Sequence, residues 1–210
     1  MVLPKTLVVV RHGESEGNVV STEDVSFRTK PNHQFSLTKK GREQAIKAGD
    51  FLKSMEFDAY FVSTYKRTQE TMSLMRPGVA PIVDSRLNEH WRGVWHTMLE
   101  SDVDRLFPMQ RAITDREGKF HDRPFGGQCG QDVELGVYSF LTDLCLHYSG
   151  KTILVAGHGN WMILLWRVLY GYSTELAEQR FKSGKYANGF ITVHDGSSGE
   201  WQLAYENLEP

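Results

Sequence analysis

The chain has 210 residues, of which 40% are hydrophobic and 24% charged, with 24 basic and 26 acidic side chains and a formal net charge of −2. That composition suits one sizeable α/β domain or two small ones, and it gives no global attraction to nucleic acid or to a membrane surface, so any anion site must be a local cluster. No apolar stretch is long enough to span a bilayer, and Met1 to Thr6 lacks the cleavage pattern of a secretory signal, which makes a cytoplasmic protein the expectation.

The first element is a β-branched apolar run, Thr6 to Val10, which reads as a buried parallel strand. It delivers Arg11-His12-Gly13-Glu14-Ser15-Glu16-Gly17-Asn18 to the carboxyl end of a sheet, where open α/β folds place ligands. An arginine offers forked donors that match a phosphate, and a histidine offers a nitrogen nucleophile. The segment from Asn18 to Ser36 has little periodicity and reads as a long loop over the site. Thr38 can cap a helix running to about Met55, with Ala45, Ala48, Gly49 and Leu52 on one face.

A second strand, Ala59 to Val62, leads into a helix opened by Ser63 or Thr64, with Arg67 in its first turn. A cation gains nothing from a helix amino terminus, so a nearby anionic ligand would resolve the tension. Ile82 to Leu87 reads as a third strand, followed by Asn88-Glu89-His90-Trp91-Arg92-Gly93, where Glu89 is placed to serve as a general acid. Residues Asn88 to Gly127 are harder to read, and 91–127 is expected to form a lid or insertion. Asp132 to Tyr148 is helical, with Val133, Val137, Phe140, Leu141 and Leu144 as its core stripe.

Thr152 to Ala156 is another buried strand and runs into Gly157-His158-Gly159-Asn160. A second histidine thus sits between a strand end and a helix start, where backbone and helix dipole favour an anion. The helix that follows, Trp161 to Leu169, is strongly apolar, and Trp161, Leu165 and Trp166 read as packing. Phe190 to His194 and Trp201 to Tyr205 flank a turn-rich segment and read as a hairpin. Cys145 reads as a small core residue and Cys129 as an exposed loop residue; the pair suggests neither a disulfide framework nor zinc. His33, His90, His96 and His121 read as surface or structural histidines. Lys30, Lys66 and Arg92 form either a basic rim for an anionic substrate or ordinary solvated charge.

The four strand-end junctions, in this order, resemble the histidine phosphatase superfamily, also called the phosphoglycerate mutase-like family, over nearly the whole chain. The signature strand appears as Arg11-His12-Gly13 with Glu14, Ser15 and Asn18. The Ser-x-x-x-Arg-x-x-x-Thr helix start matches Ser63, Arg67 and Thr71. Leu87-Asn88-Glu89 matches the acid motif, followed by Gly93 and Trp95, and His158-Gly159 the late histidine. The stretch Thr29-Lys30-Pro31-Asn32-His33, then Leu37-Thr38, is similar to a phosphatase-type subgroup.

The resemblance implies one domain over residues 1–210, an α/β fold forming a three-layer α/β/α sandwich with a mostly parallel central sheet. It implies a phosphomonoester phosphatase acting through a phosphohistidine on His12. Glu89 would be the general acid and base, with Arg11, Arg67 and His158 holding the phosphate. Asn18, Gly159 and Asn160 complete the expected substrate contacts, and neither a metal nor a cofactor is expected. The expected partner is a phosphorylated small molecule, with no nucleic acid or membrane; oligomeric state stays open. Two departures stand out: Gly127-Gln128-Cys129 where the family often has Gly-Glu-Ser, and Gly136 where an arginine is common. They motivate a non-catalytic phospho-ligand binder on the same fold as one alternative; a phosphoglycerate-type mutase is the other.

Overall fold

A computed structural model describes residues 2–25, 29–183 and 186–208. In chain order the elements are β1 (Thr6–Arg11), α1 (Glu16–Val19), α2 (Lys39–Phe51), β2 (Ala59–Val62), α3 (Lys66–Met75) and β3 (Ile82–Val83). There follow α4 (Glu100–Leu106), α5 (Pro108–His121), α6 (Gly130–His147), β4 (Thr152–Gly157), α7 (Gly159–Tyr170), α8 (Thr174–Ser183), β5 (Ile191–Asp195) and β6 (Gln202–Leu208).

The six strands form one sheet in the order β3-β2-β4-β1-β5-β6. β1, β2, β3 and β4 run parallel, while β5 and β6 are antiparallel additions at one side. Strand alternation divides the apolar side chains between two cores. Leu7 and Val9 point into one, with Val137, Phe140, Trp161 and Phe181 from α6, α7 and α8. Val8 and Val10 point into the other, with Ala45, Ala48, Met72 and Met75 from α2 and α3. Because the central strands are buried on both faces, their sequences are continuously apolar rather than alternating. This is the expected three-layer α/β/α sandwich with a mostly parallel sheet.

Several expected boundaries shift, each for a local reason. The helix read as running to Met55 ends at Phe51, and Arg76 reaches across from α3 to donate to the carbonyls of Leu52 and Met55. Thr38 caps α2 as read, accepting from the Gly41 amide at 3.1 Å. The expected strand Ile82 to Leu87 is too long. Only Ile82 and Val83 pair with β2, because the Asp84 carboxylate accepts from the Arg86 amide and turns residues 85–87 into a 3₁₀ helix. Cys129 is buried rather than exposed and begins α6, its amide donating to Asp132 at 2.8 Å. Cys145 is half-buried rather than a core residue.

The Asn18 to Ser36 loop contains short helical turns at 16–19 and 32–34, and its residues Ser26, Phe27 and Arg28 lie outside the described ones. The region that resisted reading, 88–127, holds a 3₁₀ turn at Gly93–Thr97 and then α4 and α5. Gly118 breaks α5 at φ 78°, a conformation open to glycine, and the Glu178 carboxylate accepts from the Phe120 amide just beyond it. Among the described residues no helix is long and apolar enough to cross a membrane.

Candidate active site

The parallel register of β1 on β4 pairs Arg11 with Gly157. The next residue on each strand is a histidine, so the register itself sets His12 beside His158. Their ring centroids are 5.2 Å apart, and the His12 amide donates to the Gly157 carbonyl at 3.0 Å. Both side chains are buried.

His12 Nδ1 donates to the Gly13 carbonyl at 2.8 Å, which fixes the tautomer and leaves Nε2 as an acceptor. Arg67 Nε donates to that Nε2 at 3.1 Å, and Arg67 Nη2 donates to His158 Nδ1 at 3.3 Å. His158 must then carry its proton on Nε2, which donates to Ser63 Oγ at 2.8 Å. The third guanidinium nitrogen donates to the backbone and side-chain oxygens of Asn32, at 3.0 and 2.8 Å. One arginine thus joins both histidines and the entry loop. The Tyr65 ring lies 4.6 Å under its guanidinium carbon.

The helix-start motif explains why Arg67 is so placed. Ser63 Oγ accepts the Tyr65 amide at 3.1 Å, and Thr71 Oγ1 donates to the Arg67 carbonyl at 2.7 Å while accepting from the Gly13 amide at 3.1 Å. Gly13 has no room for a side chain, since a Cβ there would lie 2.1 Å from the Gly41 carbonyl oxygen. The first loop is therefore pressed against α2 and tied to α3.

Burial sets the charges. It pushes both histidines well below their usual pKa, with Arg67 adding to the effect, so His12 and His158 are neutral at pH 7. Burial also pulls Arg67 down to about 10, opposed chiefly by the Glu89 carboxylate. It lowers Arg11 in the same way, again with Glu89 opposing. Arg11 donates Nη1 to the Tyr186 carbonyl, and its buried Nε has no partner among the described residues. Arg11 and Glu89 line one narrow cavity together with Gly159, Asn160, Arg180 and Tyr186.

The sequence-derived set therefore divides. His12, Arg67 and His158 are in direct contact. Arg11, Glu89, Gly159 and Asn160 share the adjoining cavity. Asn18 stands behind them: its Oδ1 accepts from Ser15 and from Asn188 Nδ2, which also donates to the His12 carbonyl at 3.1 Å. Asn188 and Tyr186 escaped the sequence reading, although Asn188-Gly189 is a turn dipeptide just before a strand and was readable as a return to the sheet edge. Tyr65, beneath Arg67, carried no signal beyond its place before the helix.

His90 and His96 are structural. His90 Nε2 donates to the Gln128 carbonyl at 2.6 Å, and His96 Nδ1 accepts from the Arg92 amide at 3.0 Å. The rim cations are largely matched. Lys30 pairs with Glu16, Lys66 lies 3.9 Å from Glu70, and Arg92 lies 3.0 Å from Glu100. Gln128 accepts the Trp91 amide at 3.1 Å and so supports the segment bearing Glu89. Among the described residues no group of three or more His, Cys, Asp or Glu side chains is placed to hold a metal ion.

The family model for the histidine phosphatase superfamily (branch 1) matches residues 7–209. The chain belongs to the histidine phosphatase superfamily. The phosphatase-type enzyme class expected from the motifs stands with that membership. Among curated relatives, a 2,3-bisphosphoglycerate-dependent phosphoglycerate mutase of Mesorhizobium japonicum is 31% identical, over 82% of this chain and 85% of that protein. The phosphoglycerate mutase-like protein AT74 of Arabidopsis thaliana is 29% identical, over 99% of this chain and 70% of that protein. Among solved structures, the alpha-ribazole phosphatase of Shigella flexneri superposes with a TM-score of 0.80 at 23% identity, covering 97% of this chain and 96% of that one. Bacillus stearothermophilus YhfR does so at 0.79 and 24% identity, covering 96% of each. These two share the fold of this superfamily member.

Proposed function

We propose that this member of the superfamily is a phosphomonoester phosphatase that works through a phosphohistidine on His12. The observation that carries the reading is the state of His12: buried, neutral, protonated on Nδ1 toward Gly13, with its Nε2 lone pair turned to Arg67. A substrate phosphate would take over the Arg67 donors and the unpartnered Arg11 Nε, leaving Nε2 facing phosphorus. Its negative charge would also favour protonation of His158 at Nδ1, which turns an acceptor into a donor toward a phosphoryl oxygen.

In the first step His12 Nε2 forms the N–P bond while the ester P–O bond breaks, and the Glu89 carboxyl proton goes to the departing alkoxide. In the second, the Glu89 carboxylate takes a proton from water, whose oxygen displaces His12 from phosphorus. Positioning and charge stabilisation supply most of the rate in such transfers. Residues 91–127 are read as a cap over the cleft within one domain spanning 1–210, with a phosphorylated small molecule as substrate and the cytoplasm as the compartment.

The test is incubation with p-nitrophenyl phosphate. Steady phosphate release and an acid-labile phosphoryl group on His12 are expected, and no hydrolysis of any ester in a broad panel would defeat the proposal. A second reading, a mutase that returns the phosphoryl group to another hydroxyl, is favoured by the Mesorhizobium relative. A mutase would hydrolyse the aryl ester poorly and require a phosphorylated primer.

A further inference from the structure

Glu89 is shared by two cavities of different character. The one it shares with Arg11 is narrow, about 130 Å³. The other is an open cleft of about 580 Å³, walled by His33, Thr64, Tyr65, Asn88, Trp91 and Gln128. Its volume falls in the range that holds a drug-sized ligand. With the phosphate at His12 and the acid at Glu89, this larger cleft is where the departing alcohol must sit.

Its chemistry is selective. Among the described residues lining it there is no lysine or arginine, and Glu89 is the one carboxylate. Asn88 Oδ1 accepts from both the amide and the hydroxyl of Thr64, at 3.0 and 2.9 Å, and Gln128 Oε1 accepts from the Trp91 amide. Each carboxamide is thereby oriented by its oxygen, and each keeps an NH₂ group with no partner among the described residues as a neutral donor. Trp91 is held against His96 with ring centroids 4.5 Å apart, and Tyr65 packs on His158 at 4.9 Å. The wall therefore offers fixed aromatic surface and uncharged donors.

An anionic alcohol would find no lysine or arginine on this lining to pair with, and an unpaired charge taken out of water selects against such substrates. The cations that could serve lie elsewhere. Arg92 and Arg111 are both paired with Glu100, and Lys119 joins them in an enclosed cavity of about 50 Å³. That space has room for a few water molecules and not for an alcohol of substrate size. A cationic alcohol is not favoured either, because Glu89 must carry its proton when the ester bond breaks.

Building on the phosphatase reading, we infer that the substrate is the phosphomonoester of an uncharged, hydroxyl-bearing alcohol of sugar to nucleoside size. The Asn88 and Gln128 amides donate to its hydroxyls, and its ring lies on the Trp91 and Tyr65 surface.

The experiment compares kcat/KM for glucose 6-phosphate and a nucleoside 5′-monophosphate with that for 3-phosphoglycerate, phosphoserine and phosphocholine. The uncharged alcohols should lead by about tenfold or more, the scale at which one unmatched polar group discriminates. In Gln128→Lys the ratio of glucose 6-phosphate to 3-phosphoglycerate should fall by about tenfold, because the added ammonium offsets a carboxylate. Faster turnover of 3-phosphoglycerate or phosphocholine by the unaltered protein would overturn the inference, as would an anionic preference abolished by Lys119→Ala. The same esters are titrated calorimetrically against His12→Ala, which reads binding without turnover. If no ester phosphorylates His12, the phosphatase reading falls, while the order of dissociation constants still decides the class of alcohol. Equal or tighter binding of the carboxylate ester rejects it.

Discussion

The cradle around His12 and the wall that carries Glu89 are built in opposite ways. In the cradle each side chain stands at the end of a buried strand or at the start of a helix, and backbone register does the positioning. Arg11 pairs with Gly157, and His12 and His158 follow automatically. In the wall, residues 85–97 form two short 3₁₀ turns, and position comes from single side chains: Asp84 on the Arg86 amide, Gln128 on the Trp91 amide, His90 on the Gln128 carbonyl. The cradle is buried, with its histidines neutral. The wall is half-exposed and laced with ion pairs from Arg92 and Arg111 to Glu100. On the proposed function, the half placed by backbone register would fix what a phosphate needs, and the half placed by single side chains could be altered to suit the alcohol without disturbing the first. Gln128 lies in the second.

The largest effect should come from the cradle. His12→Ala should abolish both the phosphoenzyme and turnover, a loss of about 10⁴-fold or more, since it removes the proposed nucleophile, and His158, the other ring that accepts from Arg67, is held in place through Nε2 on Ser63. Rapid-quench measurement of the phosphoryl-protein checks it, and a phosphoenzyme persisting in that variant would remove His12 as nucleophile. Glu89→Gln tests the wall. An alkyl phosphate should lose about 10²–10⁴-fold because its leaving group needs the proton. p-Nitrophenyl phosphate should lose much less in single-turnover transfer. Equal losses on the two esters would shift the acid role to another carboxyl.

That contrast also explains what could be read from the chain alone. The residues Val8-Val9-Val10-Arg11-His12 and Leu154-Val155-Ala156-Gly157-His158 carry their own placement, because a continuously apolar run of strand length ends in only one geometry. The junction at Arg67 was legible for the same reason. Asn88 to Gly127 was not: its 3₁₀ turn at Gly93–Thr97 is too short to show a period, and the helix Pro108–His121, broken at Gly118, buries little beyond Phe120 and so carries no apolar stripe to read. The overlong strand Ile82 to Leu87 failed through turn chemistry, one Asp84 carboxylate capturing an amide two residues on. Asn188 was missed because its role depends on where β5 begins relative to β1, which is a tertiary fact. The tautomer of His12, which on the proposed mechanism would decide the attacking nitrogen, rests on two tertiary or backbone contacts, the Gly13 carbonyl and the Arg67 donor.

Arg67 couples the two halves through charge, and its removal should show in the pH profile. Arg67→Gln should cost about 10²–10³-fold in kcat/KM, the usual scale for a lost oxyanion donor. It should also raise the pKa of His12, because the cation beside it is one of the causes that hold it down. The acidic limb of phosphoenzyme formation should therefore move to higher pH in the variant. An unshifted limb would show that burial alone sets the charge of His12.

Folding stability should follow the same buried histidines. His12 and His158 are held well below the usual value, and burial brings His194 to about 3. The unfolded chain thus binds protons below pH 6.5 that the folded chain refuses. Stability is full above that pH and falls as pH drops, by about 1.4 kcal/mol per unit for each such histidine once the unfolded one is protonated. Urea midpoints measured between pH 7.5 and 5 should decline, and a flat profile would contradict neutral burial of these rings.

The smallest effect separates the two departures from the family pattern. Gly136 lies inside α6, far in its role from Gln128: a Cβ there would meet nothing nearer than the Arg86 carbonyl oxygen at 3.6 Å, an ordinary contact. Its φ is not in the left-handed region, so glycine has no conformational reason to be there. Gly136→Ala should stabilise the protein by about 0.5–1 kcal/mol, the helix-propensity difference, with kcat/KM unchanged. Thermal unfolding and an aryl phosphate assay check both. A loss of activity would mean that α6 transmits packing to the Arg86-to-Glu89 segment, since Trp161 also donates to the Arg86 carbonyl at 2.9 Å. In that event the wall is less adaptable than its short turns suggest, and Gly136 would join Gln128 as a residue that shapes which alcohol is accepted.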